Sequence, residues 1–99
     1  MRFCDVSMRI PDDTDEFIFW LFNHRCIGLD NPCYKWATEI SHIKPGWPRD
    51  NHWTNKVLHC SECHFEYHRR GTSDDAIENL KERRAEYLYS IGREDYIDD

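Results

Sequence analysis

Ninety-nine residues, of which 39% are hydrophobic and 32% charged, make one domain with a small apolar core. Fourteen aromatic residues (four Trp, five Tyr, five Phe) exclude a disordered chain, and the longest apolar run, the six residues from Phe17 to Phe22, is too short to cross a membrane. The net charge of −6 excludes nucleic-acid binding by the whole surface, but residues 41–71 alone carry five basic against three acidic groups and could meet phosphates.

The first eleven residues carry charges and lack the apolar stretch of a secretory leader, which points to a reducing cytoplasm. Asp13-Thr14-Asp15-Glu16 then reads as a helix start, with acidic groups where the helix dipole favours them, and the helix runs through Phe17, Ile18, Trp20, Leu21 and Phe22 to about Asn23. Residues 26–33 form a loop punctuated by Gly28, Asp30-Asn31 and Pro32. A short strand is predicted over 36–43, where Trp36, Thr38 and Ile40 alternate with Ala37, Glu39 and Ser41. Pro45, Gly46 and Pro48 keep 44–51 irregular, and 55–59 forms a second strand or turn.

Residues 60–70 read as a knuckle opening a helix that Gly71 ends. Thr72 or Ser73 caps the last helix, about 73–91. Asp74 and Asp75 sit in its first turn, and Ile77, Leu80, Arg84, Tyr87, Leu88 and Ile91 recur at three- and four-residue steps until Gly92. Residues 95–99 look like a mobile acidic tail. Trp20, Trp36, Trp47 and Trp53 all read as packing residues, with Trp47 and Trp53 in the loop the pair most open to solvent.

Five cysteines are an odd number for a disulfide framework, whereas four metal ligands and one spare thiol account for them. Cys60-x2-Cys63 is a zinc knuckle, and Cys26-x6-Cys33 is a looser pair whose loop Gly28 allows to double back. The four together read as one structural zinc, a remedy for a small core because metal binding becomes folding free energy. A rival set takes Cys60, Cys63 and His68 or His64, with Cys26 or Cys33 as the fourth ligand. Cys4 lies outside the pattern and reads as a packed thiol.

Ile40-Ser41-His42-Ile43-Lys44-Pro45, then Asn55-Lys56-Val57-Leu58, then Cys60-Ser61-Glu62-Cys63-His64 and His68, resemble the HNH (ββα-metal) endonuclease motif. With Cys26 and Cys33 ahead of it, the resemblance covers about residues 24–70 and is to the small zinc-stapled form found in phage and prophage proteins. It implies an α+β fold: a zinc-stabilised ββα-metal core at about 24–71 with flanking N- and C-terminal helices, all in one domain spanning 1–99. It also implies metal-dependent nicking or cleavage of DNA with little sequence readout, in a host cytoplasm if phage-encoded.

By the same resemblance His42 is the general base and Asn55 supports the motif's loop. His64, His68 and the Ser41 position hold the catalytic ion. Histidine titrates near neutral pH and suits the base. His64 and His68, four apart on a helix, share one face and can grip one ion, magnesium or else manganese, nickel or zinc. Family members usually have Asp or His at the Ser41 position, and Glu39, Asp50 or His59 could compensate. Lys44, Arg49, Lys56, Arg69 and Arg70 would contact the DNA backbone. The alternative is a zinc-stabilised protein- or DNA-binding adaptor with a degenerate HNH site, whose C-terminal helix docks on a protein partner.

Overall fold

The computed structural model describes residues 10–46, 48–71 and 73–97. The expectations for Cys4, for Trp47 as an exposed residue, for Thr72 as a cap and for the last two residues of the tail lie outside those residues. Helix α1 spans Asp15–Leu21, strand β1 Glu39–His42, strand β2 Lys56–His59, helix α2 Ser61–Arg70 and helix α3 Asp74–Ser90. The result is a small α+β fold in which α1 and α2 pack on one two-stranded sheet, while α3 is tied to the chain after α1 through Arg83 and Tyr87. Its radius of gyration, 13.1 Å, is close to the value of about 13 Å expected for a compact chain of this length.

Thr14 caps α1 by accepting a hydrogen bond from the Phe17 amide, and Asp15 and Glu16 occupy the first turn. Phe17, Ile18 and Leu21 are buried, so α1 is a main core element as its crowded apolar residues suggest. Asn23 and His24 take left-handed conformations (φ 56° and 59°) and turn the chain away.

The sheet is shorter than the sequence predicts. β1 pairs antiparallel with β2 in the register Glu39↔His59, Ile40↔Leu58, Ser41↔Val57 and His42↔Lys56. Upstream, Trp36 bridges Arg25 and the Ala37 amide donates to the His24 carbonyl, so 36–38 follows the chain leaving α1 instead. β2 has only four residues before Cys60 starts α2, and a longer β1 would find no partner. Every β2 residue is buried, Lys56 included.

α2 ends at Gly71 (φ 78°), and the Tyr67 hydroxyl pins it to the sheet by donating to the Ile43 carbonyl at 2.6 Å. Ser73 caps α3 through the Ala76 amide. α3 buries Leu80, Tyr87 and Leu88 together with Arg83 and Arg84, whose charged heads reach backbone carbonyls at Ile27 and Tyr96.

The tail and Trp36 depart from expectation. The tail is not free at its start: Glu94–Tyr96 forms a 3-10 turn, and Tyr96 is buried against Phe17, Trp20 and Trp53 because its ring completes an aromatic cluster. Trp53, one of the four tryptophans read as packing residues, does pack, edge-on to Phe17 at 5.9 Å. Trp36, expected to pack, is 58% exposed, stacked on His24 and lying beneath Arg25.

Candidate metal centre and histidine cluster

Cys26 and Cys33 come from the loop after α1, and Cys60 and Cys63 from the entrance to α2. Their four sulfurs lie within 4.8 Å of one another. The separation of Cys33 and Cys60, 4.0 Å, compares with an edge of about 3.8 Å for a tetrahedron with Zn–S bonds of about 2.3 Å. Among the described residues this is the only group of three or more His, Cys, Asp or Glu side chains brought that close, and neither His64 nor His68 belongs to it. The four-cysteine set can hold a metal ion; the rival set with a histidine is not assembled.

The loop geometry rests on Gly28. Its φ is +83°, and a Cβ there would lie 1.9 Å from the Asn31 carbonyl oxygen, so no other residue fits without moving the backbone. Its amide points at the Cys26 sulfur at 3.4 Å. Packed as thiols, Cys26 is pushed up to about 11 and Cys63 is raised further, in both cases first by burial, while at Cys60 burial is the largest single influence but hydrogen bonds with Cys63, Cys26 and Cys33 together outweigh it and lower the pKa. Four such sulfurs cannot all ionise together unless a cation compensates them, and that is the donor chemistry zinc takes.

A second cluster lies across the β1–α2 junction. Ser41 is fully buried, and its hydroxyl sits 2.8 Å from His59 Nδ1 and 2.6 Å from His64 Nδ1. The structure thus places Ser41, expected beside the catalytic ion, with an imidazole on both sides of its oxygen. His64 and His68 share one face of α2, with ring centroids 4.6 Å apart, and His64 Nε2 lies 3.4 Å from a Glu39 carboxylate oxygen. Burial lowers the His64 pKa, against the pull of Glu39.

His59, which the sequence offers only as one substitute for the Ser41 ligand, is fully buried, and burial holds its pKa down to about 4. Its Nε2 lies 3.0 Å from the Gly28 carbonyl, which joins the histidine cluster to the cysteine loop.

His42 ends β1 half-exposed, its Nε2 2.9 Å from the Asn51 carboxamide oxygen. With that oxygen accepting, the neutral ring would donate from Nε2 and have its lone pair on Nδ1. Asn51, itself exposed, was not visible as a partner, because nothing in an irregular loop announces which side chain meets the histidine. Asn55 is buried and ties the loop together, accepting from the Lys44 amide at 2.9 Å and donating to the Lys44 and Asp50 carbonyls.

The basic residues divide. Lys44 and Arg49 are exposed on the loop. Lys56 is not available to DNA: it is only 6% exposed, and its ammonium donates to the Asp13 carbonyl at 2.8 Å, stabilising the approach to α1. Arg69 and Arg70 are exposed but both pair with Glu66, and Arg70 also with Asp30. Hydrogen bonds from the two arginines hold the Glu66 carboxyl down to about 2.

No helix among the described residues is long and apolar enough to cross a membrane. Compared with protein-family models, curated proteins and solved structures, the chain matches none.

Proposed function

We propose that this protein is a zinc-stapled, metal-dependent endonuclease of the HNH type that cleaves DNA phosphodiesters with little sequence readout. The observation that carries this reading is the grouping of imidazoles. His64 and His68 touch on one face of α2, and His42 stands on the strand that α2 packs against, its Nε2 against the Asn51 oxygen.

In this reading His42 Nδ1 takes the proton of an attacking water, while Asn51 holds the ring in the required tautomer. Asn55 fixes the loop that carries Asn51 and thereby the base's orientation. His64 and His68 would hold a divalent ion, magnesium or manganese, nickel or zinc; when bound, it neutralises charge on the scissile phosphate and the leaving oxygen. Lys44 and Arg49 meet the backbone on either side, and few side chains remain to read bases. Zinc at Cys26, Cys33, Cys60 and Cys63 keeps the strand pair and α2 in register.

A second reading, a zinc-stabilised adaptor without cleavage, is favoured by one observation: Lys56, Arg69 and Arg70 already have partners inside the molecule. Zinc-loaded protein incubated with an end-labelled duplex, with and without added manganese or magnesium, separates the two. Cleavage that needs the added ion and disappears in His42→Ala supports the nuclease. Binding without cleavage in either metal supports the adaptor. Withholding the ion is preferable to chelation, because a chelator would also strip the cysteine site.

A further inference from the structure

Residues 23–26 after α1 and 34–38 before β1 run antiparallel as a short ribbon. The Cys26 amide donates to the Lys35 carbonyl at 2.8 Å, the Tyr34 amide to the Cys26 carbonyl at 2.9 Å and the Ala37 amide to the His24 carbonyl at 2.8 Å. Cys26 lies on one arm and Cys33 adjoins the other, so a metal held by the cysteines would clamp the closed end of the ribbon.

Ala37 is buried, and alternation along the arm turns Trp36 outward, 58% exposed. The indole belongs to a series of rings. His24 stacks on it with centroids 5.0 Å apart and planes within 10°, and Phe19 lies 5.2 Å from His24. The Arg25 guanidinium sits 5.4 Å from the indole centroid, within cation–π reach.

The local charge opposes that of the whole chain. Against −6 overall, residues 23–26 and 34–38 carry Arg25 and Lys35 and no Asp or Glu. Lys35 is already paired with Glu62. Arg25 has no carboxylate partner among the described residues, and its guanidinium is held only by the indole.

Exposed rings beside a free cation suit a single nucleic-acid strand: bases of any sequence stack on the rings and the cation meets phosphate. A plain duplex keeps its bases stacked on one another and offers the indole no face. A proline-rich peptide also packs on indoles, but it brings no anion for Arg25.

We propose that this ribbon binds single-stranded DNA, with an unpaired base stacked on Trp36 and Arg25 turned to a neighbouring phosphate. The preferred DNA would then carry an unpaired stretch, as a gap, flap or junction does. The inference rests on the nuclease reading for the choice of DNA, though not for the stacking.

The test is the fluorescence anisotropy of a short labelled oligothymidine, titrated with the full zinc-loaded chain at low salt and without added divalent ion. Trp36→Ala should weaken binding by about 5- to 150-fold, the range for one lost base–ring stack, and Trp36→Phe should keep most of the affinity. Arg25→Ala should reduce the salt slope by about 0.7, one phosphate contact on a single strand. An abasic strand of equal length should bind the wild-type chain about as weakly as oligothymidine binds Trp36→Ala. Tyr89→Ala, which removes another exposed ring, on α3, should bind like the wild type.

Equal affinity of the wild type and Trp36→Ala, or of the thymidine and abasic strands, overturns the proposal. The abasic comparison uses the wild-type chain and decides even if Trp36→Ala fails to fold. Trp36-dependent binding with no cleavage of a gapped duplex in manganese upholds the ribbon site and removes the nuclease. Manganese-dependent cleavage indifferent both to Trp36 and to unpaired bases does the reverse.

Discussion

Removing the metal from the four cysteines should unfold the protein. A chain of this length has a total stability of about 5–15 kcal/mol. A structural zinc in a small thiolate site supplies apparent binding energy of about 10–16 kcal/mol, as large as the whole. Without it, the loop of Cys26 and Cys33 is held to the rest by a few contacts: Ile27 N–H to the Leu58 carbonyl at 3.1 Å, and Arg83 to the Ile27 carbonyl at 2.7 Å. If only about 4 kcal/mol of the metal's contribution were lost, the melting midpoint would fall by about 16–32 °C, at about 4–8 °C per kcal/mol.

Circular dichroism at the helix band, recorded during chelation and after return of one equivalent of zinc, measures this. Helical signal should collapse and then recover with a sharp endpoint at one zinc per chain, and Cys63→Ser should shift that endpoint or weaken it. A stripped protein that melts cooperatively within a few degrees of the zinc form would refute the reasoning, because the apolar core would then suffice alone.

Gly28→Ala should nearly abolish zinc-dependent folding, since its Cβ would meet the Asn31 carbonyl at 1.9 Å; a zinc titration of the variant with an unchanged endpoint would contradict this. Asn55→Ala removes three hydrogen bonds around the 44–55 loop and should cost about 2–3 kcal/mol in urea unfolding, at about 1 kcal/mol each. Lys44→Ala should weaken DNA binding and reduce its salt slope by about 1, whereas Lys56→Met should leave the slope unchanged because that ammonium faces the Asp13 carbonyl.

The parts of the fold readable in the sequence are those set by local chemistry. Caps at Thr14 and Ser73, glycine stops at Gly71 and Gly92 and the periodic face of α3 all act within a few residues, and α1, α2 and α3 form where these signals lie. The cysteine spacing likewise anticipates the sulfur cluster, because two ligand pairs must converge to satisfy one ion.

What escaped was decided by partners distant in sequence. Strand β1 is short because β2 offers only four residues to pair with. Tyr96 is buried because Phe17, nearly eighty positions earlier, leaves room for its ring. Lys56 reads as a surface cation, yet a carbonyl 43 residues away takes its ammonium. The role of Ser41 was the least legible: only the structure reveals that His59 and His64 approach its hydroxyl from two sides.

The most direct test is conversion of supercoiled plasmid by zinc-loaded protein in manganese, beside His42→Ala with its zinc content and melting midpoint matched. Open-circle DNA should accumulate with the wild-type chain only when manganese is present, and His42→Ala should lose at least 100-fold of the rate, about the scale of a general base. Equal nicking by the variant, or none by the wild type in any divalent metal, would contradict the nuclease and leave a zinc-stapled binding module.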